Sequence, residues 1–120
     1  MNETTPEVSV VMGVYNGASA LPATLQSILS QQGCEFEVIV VNDGSTDDSG
    51  RVLDEWAARD ARLQIIHQPN KGLTKALIRG CESARGEFIA RMAPHDVQIF
   101  TTDRGKFEST LLVGRDYKGQ

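Results

Sequence analysis

The stretch that most constrains the fold is a run of four apolar β-branched residues, 38–41, followed directly by Asn42, Asp43 and Gly44. Four such residues in a row predict a strand that is buried on both faces, as in a parallel sheet. Asn, Asp and Gly tolerate left-handed backbone and predict a tight loop at the end of this strand. Open α/β sheets bind their ligands at the carboxyl ends of such strands. Asp43 is therefore the first residue to test for a function.

The residues after this loop predict the start of a helix. Ser45 is interpreted as the N-cap, and Asp48, three residues later, as its partner in a capping box. Both residues are assigned this capping role in preference to ligand binding. For Asp43 itself, capping of the helix or of its own loop is the alternative to a binding role.

The rest of the chain alternates between strand-like and helix-like patterns with short connections. This βαβαβαβ order predicts an α/β fold, a three-layer Rossmann-like arrangement with a mainly parallel sheet and right-handed crossovers. In the third helix, Leu73, Leu77, Ile78 and Cys81 are expected to point inward. The predicted elements are strands at 8–14, 36–42, 63–67 and 87–92, helices at 19–32, 46–59 and 73–84, and a C-terminal β-hairpin with strands at 97–102 and 107–113.

Composition narrows the class of protein. The 120 residues fit a single domain, and a hydrophobic content of 40% is typical of a globular protein. The net charge of −4 argues against nucleic acid as a partner, since clustered Lys and Arg bind phosphate backbones. Cys34 and Cys81 lack metal-ligand spacing and are interpreted as reduced thiols. No apolar run approaches the roughly 20 residues of a membrane helix and the N-terminus is polar, so we expect a cytoplasmic chain without a transmembrane segment.

Residues with binding chemistry collect where the predicted parallel strands end. The carboxyl ends of these strands meet at one edge of the sheet, which brings together short turns, carboxylates and cations. The phosphate fingerprints GxGxxG and GxxxxGK[ST] do not occur in the sequence, which argues against an ordinary dinucleotide fold and a P-loop NTPase. The residues at this edge are Tyr15, Asn16, Asp43, Gly44, Ser45, Asn70, Lys71, Gly72, Arg91, His95 and Asp96.

Three segments carry a family resemblance: VSVVMGVYNG at 8–17, FEVIVVNDGSTDDS at 36–49 and NKGLTKALIRGCESARGEFIARM at 70–92. In order and spacing they resemble the N-terminal half of family-2 inverting glycosyltransferases, over about residues 6–92. The resemblance implies a nucleotide-sugar-binding fold of the GT-A type at 7–92. It also implies a UDP-sugar or related nucleotide sugar as donor, and Mg²⁺ or Mn²⁺ as cofactor.

The same resemblance implies roles for individual residues. The residue matching Asp43 accepts a hydrogen bond from the uracil ring, and a buried carboxylate would select strongly for a ring N–H. The remaining nucleotide-binding positions lie in three segments. The resemblance places Val14, Tyr15 and Asn16 beside the base, and Asn70, Lys71 and Gly72 beside the uridine and phosphates. Arg91 is a further candidate for contact with the donor phosphate, on the basis of its own position in the predicted strand.

Several of these residues also have ordinary structural interpretations. Tyr15 could stack on a base or be an edge aromatic residue. Lys71 by itself is typical of a solvated turn, and only the resemblance favours a phosphate contact. Arg91 has a surface or salt-bridge role as its alternative. His67, at the end of a predicted strand, is interpreted as a hydrogen-bonded structural histidine.

The sequence departs from the family after residue 92. The family has an Asp-x-Asp-Asp motif there whose acids hold the metal, whereas this chain has Ala93, Pro94, His95 and Asp96. Asp96 is the remaining candidate metal ligand, with His95 beside it, although magnesium and manganese prefer oxygen ligands. Residues 93–120 are interpreted as a diverged or truncated tail, and no catalytic residue is assigned.

Two functions from different classes are therefore predicted. The first is a nucleotide-sugar-binding domain that, if complete, transfers a sugar to an acceptor with inversion. The altered acidic motif and the missing acceptor half predict little or no transferase activity from this chain alone. The alternative is a non-catalytic α/β interaction module that forms a homo-oligomer through its sheet edge or terminal hairpin.

Overall fold

The computed structural model describes residues 6–31, 35–93, 96–103 and 106–114. Within these ranges strands and helices alternate as the sequence predicts, and most boundaries agree to within one or two residues. The elements are β1 (Val8–Val14), α1 (Leu21–Leu29), β2 (Phe36–Asp43), α2 (Ser49–Arg59), β3 (Leu63–Gln68), α3 (Leu73–Ser83), β4 (Phe88–Ala93), β5 (Asp96–Asp103) and β6 (Lys106–Gly114).

The strands form one sheet with the order β3-β2-β1-β4-β5-β6. Strands β1 to β4 run parallel to one another, so the predicted Rossmann-like α/β fold is confirmed. The predicted terminal hairpin corresponds to β5 and β6, which pair with each other in an antiparallel ladder. β5 also pairs antiparallel with β4, which extends the parallel sheet on one side.

Helices cover both faces of β1 and β2. Because successive strand residues point to opposite faces, Val38 and Val40 pack with Leu25 of α1 and Leu53 of α2 on one face. Ile39 and its alternate neighbours face α3 on the other side, and all eight residues of β2 are buried. This two-sided burial explains the uninterrupted apolar run in the sequence.

The buried face of α3 differs from the prediction. Ala76 and Gly80 are its buried residues, whereas Leu73 and Ile78 are 52% and 53% exposed. The β-branched side chains of β1 and β2 leave little room, and a Cβ added to Gly80 would lie 2.6 Å from Val11 Cγ1. The helix therefore presents its smallest residues to the sheet, and the prediction that Leu73 and Ile78 point inward was wrong.

The start of α2 also differs from the prediction. The helix begins at Ser49, and neither Ser45 nor Asp48 caps it through a side chain. Asp47 does so instead, since its Oδ1 accepts a hydrogen bond of 2.9 Å from the Ser49 N–H. Residues 45–47 are occupied by hydrogen bonds to the loop after β1, which keeps them out of the helix. The capping box was therefore a wrong prediction.

The order of the strands determines where a crevice opens. The chain passes from β1 over α1 to β2, and returns from β3 over α3, on the opposite face, to β4 beside β1. The connections thus diverge at the carboxyl end of β1, which is the topological switch point where α/β sheets bind ligands. None of the helices in the described ranges is long and apolar enough to cross a membrane.

Candidate functional site

A cavity of about 650 Å³ opens at this switch point. It lies above the carboxyl ends of β1 and β2, between α1 and the start of α3. Apolar side chains and glycine backbone form most of its wall, together with a few polar groups, which is typical of small-molecule sites. Its lining residues are Met12, Gly13, Val14, Tyr15, Gly17, Ala20, Leu21, Thr24, Asp43, Asn70, Gly72 and Leu73.

Asp43 is the charged residue of this wall, and its side chain is held in place by N–H donors. Its Oδ1 accepts hydrogen bonds from Gln68 Nε2 at 2.9 Å and from the Lys71 N–H at 2.8 Å. Its Oδ2 accepts one from the Gly72 N–H at 2.9 Å, and Asn70 Nδ2 lies 3.4 Å away. Because the last distance is long for a hydrogen bond, Oδ2 is the oxygen with remaining acceptor capacity.

These donors keep Asp43 ionised although it is only 1% exposed. The Gln68 amide and the Lys71 N–H lower the pKa of the Asp43 carboxyl below its usual value, against the opposing effect of burial. The Gly72 N–H and the charge of Lys71 also lower the pKa of Asp43. Hydrogen bonds to the charged form favour that form. At neutral pH the site therefore contains a carboxylate whose partners are amide and backbone donors.

Glycine allows the loops around Asp43 to approach each other. Gly44 has a φ of +72° and Gly72 a φ of +100°, both in the left-handed region. A Cβ added to Gly44 would overlap the backbone of Asn70, so no larger residue fits there without movement. The Asn70 amide also donates a 3.0 Å hydrogen bond to the Asp43 carbonyl. Gly44 is thus required by both its conformation and the close passage of residue 70.

Asn16 joins the loop after β1 to the loop after β2. It adopts a left-handed φ of 54°, and its Oδ1 accepts hydrogen bonds from the N–H groups of Thr46 at 2.8 Å and Asp47 at 3.3 Å. Its own N–H donates to Ser45 Oγ at 2.9 Å. The Asn16 side chain is therefore directed at the neighbouring loop, and Asn16 is not among the residues that line the cavity.

Two further contacts tie the same loops together. The Gly17 N–H donates to Ser49 Oγ at 2.9 Å, and the Ala18 N–H donates to Asp47 Oδ2 at 3.2 Å. Hydrogen bonds from the Ser49 side chain and backbone, together with the one from Ala18, lower the pKa of the Asp47 carboxyl. The loops after β1 and β2 thus form a single cross-linked rim at the cavity.

The structure brings most of the predicted nucleotide-binding residues into this one place. Lys71 takes part through its backbone N–H to Asp43, while its side chain is exposed. The side chain of Arg91 lies outside the described residues, although its backbone belongs to β4. Five predicted residues line the cavity: Val14, Tyr15, Asp43, Asn70 and Gly72.

The predicted metal site has less support. His95 lies outside the described residues, and of Asp96 only the backbone is described, paired with Ala93 between β4 and β5. Among the described residues, no three His, Cys, Asp or Glu side chains cluster in a way that could hold a metal ion. Alanine offers no ligand, and one carboxylate is a poor set for magnesium or manganese. The described residues therefore do not supply the ligand set for the metal that the resemblance implies.

Sequence reasoning overlooked two residues that organise the site. Gln68 holds Asp43 Oδ1, and the Ser49 hydroxyl accepts from Gly17 across the loops. Gln68 follows His67 and stands directly beside Asp43 in the strand register. Its position after a predicted strand could have identified it, because neighbouring parallel strands end at the same edge. The interpretation of His67 as a hydrogen-bonded residue is confirmed by its contacts with Asn42 and Asp54.

Comparison with known proteins decides the family. Residues 9–98 match the family described as Glycosyl transferase family 2. The chain belongs to this family. Among its relatives, the uncharacterized glycosyltransferase EpsJ of Bacillus subtilis is 40% identical over 84 residues, which cover 70% of this chain and 24% of EpsJ. The chain thus spans about a quarter of the length of this relative.

Solved structures of glycosyltransferases share its fold. The mannosyltransferase PcManGT of Pyrobaculum calidifontis, in complex with GDP-Man and Mn²⁺, matches with a TM-score of 0.66 and 27% identity, over 72% of this chain and 27% of PcManGT. TarS 1-349 of S. aureus, in complex with UDP-GlcNAc, matches with a TM-score of 0.66 and 28% identity, over 72% of this chain and 26% of TarS. Both neighbours bind nucleotide sugars. The family assignment confirms the resemblance to family-2 glycosyltransferases that the sequence motifs indicate.

Proposed function

We propose that this family-2 domain binds a nucleotide sugar, with a UDP-sugar as the donor, in the cavity at the carboxyl end of β1. The single observation that carries the proposal is the state of Asp43. It is a buried carboxylate, kept ionised by N–H donors, in the wall of an otherwise mostly apolar cavity. Residues 7–92 form the binding core in this proposal, and transfer of the sugar with inversion is the activity proposed for a complete enzyme of this family.

A pyrimidine ring suits the polar and apolar groups of this cavity. Asp43 Oδ2 has room for one more N–H donor, and uracil carries a ring N–H. Tyr15 and Leu73 are large, about half exposed, and both line the cavity, so they offer apolar surfaces to a flat ring. A base without a ring N–H at this point would leave the carboxylate without its extra donor, which favours uracil over cytosine.

The diphosphate of the donor would lie towards residues 70–72. Lys71 has an exposed side chain that can act as a point cation towards phosphate. Its backbone position is fixed by the bond to Asp43, so a base on Asp43 and a phosphate near Lys71 would be positioned by one loop. Arg91 is the second cation proposed for the donor phosphate. In this proposal the chain's own residues bind and orient the donor.

Binding of UDP by the 120-residue chain tests the proposal. Isothermal titration and thermal unfolding, each with and without Mn²⁺, should show saturable binding and a rise in Tm of several degrees at a hundredfold excess over Kd. Absence of binding under both conditions would refute a nucleotide site and favour the interaction module. A Tm shift seen only with Mn²⁺ would indicate a metal-assisted donor site.

A matched pair of variants locates the binding. Asp43→Ala should weaken UDP binding by at least about 100-fold, because it removes the acceptor and the anchor of residues 70–72. Asp48→Ala removes a carboxylate whose side chain is 71% exposed and pairs with Arg51, so its affinity should equal that of the wild type. Equal losses in both variants would mean that net charge, and not the cavity, governs binding.

A further inference from the structure

The end of β3 holds the end of β2 on both faces of the sheet. In the register, His67 stands beside Asn42 and Gln68 beside Asp43. Gln68 donates to Asp43 on the face of the proposed nucleotide site, and His67 contacts Asn42 on the opposite face. Both residues of β3 are therefore in a position to control the geometry of the loop that follows Asp43.

One backbone group determines the direction of every hydrogen bond around His67. The Ser45 N–H can only donate, and it donates to Asn42 Oδ1 at 3.2 Å. The amide nitrogen of Asn42 is consequently the group 3.1 Å from His67 Nδ1, which must accept. The ring proton is then on Nε2, which donates to Asp54 Oδ1 at 3.0 Å. This relay, formed by Asp54, His67, Asn42 and Ser45, requires a neutral imidazole.

A second proton on His67 cannot be accommodated by this relay. A protonated ring would place an N–H at Nδ1 opposite the N–H groups of Asn42. Reversing the Asn42 amide would satisfy the ring but would turn the amide nitrogen towards the Ser45 N–H. Either arrangement puts two donors face to face, so one hydrogen bond of the relay is lost. The Ser45 hydroxyl also accepts from the Asn16 N–H at 2.9 Å, which connects the relay to the rim of the cavity.

The ring of His67 is open to solvent and contacts one charged group directly. The Asp54 carboxylate of α2 contacts the ring directly, and the side chain of His67 is 46% exposed, so solvent protons reach it. From β2 the ring meets the neutral Asn42, and Asp43 faces the other side of the sheet, where its own donors hold it. Of the other charged groups on or next to α2, Arg51 pairs with Asp48 and Glu55. Arg59, in the last turn, lies over the Trp56 ring.

We propose that His67 is a positioning residue whose neutral form holds the 43–47 loop in its nucleotide-binding geometry and whose protonation weakens binding of the nucleotide sugar. The proposal rests on the proposed function, because it concerns the regulation of that same site. Histidine titrates between about pH 5 and 8. Loss of one hydrogen bond of the loop should lower affinity by about threefold to tenfold between pH 7.5 and pH 5.5.

The test compares the pH dependence of affinity in three proteins. UDP-GlcNAc is the probe, because its diphosphate is esterified at both ends and keeps its charge in this pH range. His67→Asn supplies a non-ionisable acceptor near the place of Nδ1, so its affinity should fall by no more than about threefold at pH 7.5 and stay constant to pH 5.5. His67→Ala supplies none and should bind at pH 7.5 as weakly as the wild type does at pH 5.5. His95 is common to all three proteins, so differences between their profiles isolate His67.

Asp54→Asn adds an independent test, since the variant keeps an acceptor for Nε2 but removes the charge that favours the protonated ring. Its loss of affinity should begin at a lower pH than that of the wild type. Identical pH profiles in the wild type and His67→Asn would overturn the proposal. A purely structural histidine would change affinity by the same factor at every pH.

An NMR measurement separates failure of this proposal from failure of the proposed function. The backbone amide signal of Ser45 and the side-chain amide signals of Asn42 should shift together between pH 7.5 and 5.5 in the wild type and remain fixed in His67→Asn. If no nucleotide binds at pH 7.5, the proposed function fails and affinity control by His67 fails with it. If nucleotide binds and these signals do not respond to pH, only the relay is wrong.

Discussion

Two buried carboxylates lie at opposite ends of β2, and they are satisfied in different ways. Near the amino end, Glu37 is 6% exposed and accepts hydrogen bonds from Ser9 Oγ at 2.6 Å and from Arg85 N–H and Nε at 2.8 and 3.1 Å. At the carboxyl end, Asp43 is held by amide and backbone donors alone. Glu37 thus forms an ion pair with a guanidinium, whereas every hydrogen bond to the Asp43 carboxylate comes from an uncharged donor.

This difference separates a structural carboxylate from a candidate binding group. The ion pair with Arg85 satisfies Glu37 within the protein, and the cavity beside it measures about 250 Å³. Asp43 borders the cavity of about 650 Å³ with one oxygen that has acceptor capacity left. Both oxygens of Glu37 accept hydrogen bonds within the protein, whereas Asp43 has an acceptor oxygen left in the wall of its cavity.

The largest expected effects come from a pair of glycine substitutions, one at each end of the strands. In Gly44→Ala the new Cβ would overlap the Asn70 backbone, and alanine is strained at the left-handed φ of this position. Together these effects should lower the free energy of unfolding by about 2–4 kcal/mol. Gly86→Ala would place a Cβ 2.7 Å from the Ser9 backbone nitrogen and should cost about 1–3 kcal/mol. Urea unfolding measures both. Nucleotide affinity should fall only in Gly44→Ala, and an equal fall in Gly86→Ala would break the comparison.

Isosteric amides sharpen the contrast between the carboxylates themselves. Asp43→Asn should reduce UDP affinity by at least about 100-fold. Its NH₂ group would face a backbone N–H, of Lys71 or of Gly72, that now donates a hydrogen bond to the carboxylate. Glu37→Gln should leave affinity within about twofold, since it loses only the pairing with Arg85, whose side chain is 58% exposed. Calorimetric titration of the two variants decides the matter. A large loss in Glu37→Gln would show that both ends of β2 serve the site.

Smaller effects distinguish buried from exposed hydrogen bonds. Ser9→Ala removes a fully buried hydroxyl that donates to Glu37 and accepts from Gly86, and should cost about 2 kcal/mol. Asn16→Gly keeps the left-handed backbone but removes the acceptor for Thr46 and Asp47, and should cost about 1 kcal/mol because the contact is exposed. Chemical unfolding at pH 7 measures both losses. A larger loss of stability in Asn16→Gly than in Ser9→Ala would show that the exposed hydrogen bonds of the loop rim stabilise the protein more than the buried ones at Ser9.

The smallest expected effect is the pH dependence of stability that comes from two loop carboxylates. The pKa values of Asp43 and Asp47 are lowered from an ordinary value of 3.8, so their contribution to stability is present above that value and is lost as the pH falls through the lowered pKa values. The contribution of these two carboxylates should therefore change little between pH 7 and 5, and its loss should lower the unfolding midpoint below pH 4. In Asp43→Asn the acid loss should be smaller than in the wild type, and an unchanged loss would contradict this assignment.

The fold could be predicted largely from local patterns. The residues of β1 were predicted at their observed bounds, and the run at 38–41 identified the central buried strand. The errors fall where distant segments compete with local preference. α2 starts at Ser49, later than predicted, because residues 45–47 bond to the loop at 16–18. α3 turns Ala76 and Gly80 inward because the branched side chains of the sheet leave no room for larger residues.

The location of the candidate site could be predicted from the sequence, but the hydrogen-bond partners of its residues could not. Asp43 was identified from its position after a buried strand, and five predicted residues line one cavity. The donors to Asp43 come from residues 25 to 29 positions away, and they depend on the register between β2 and β3. Asn16 is predicted to lie beside the base, and the structure adds that its side chain joins two loops.

The sequence by itself established a parallel α/β sheet, the family resemblance and a carboxylate at the carboxyl end of the central strand. Strand period, turn residues and chain order are properties of neighbouring residues, which explains why they could be predicted. The tertiary structure alone revealed which groups donate to Asp43, where the Asn16 side chain points and which side chains contact the two ring nitrogens of His67. Those outcomes depend on hydrogen-bond geometry between segments about 25 to 30 residues apart, and only the packed sheet brings these segments together.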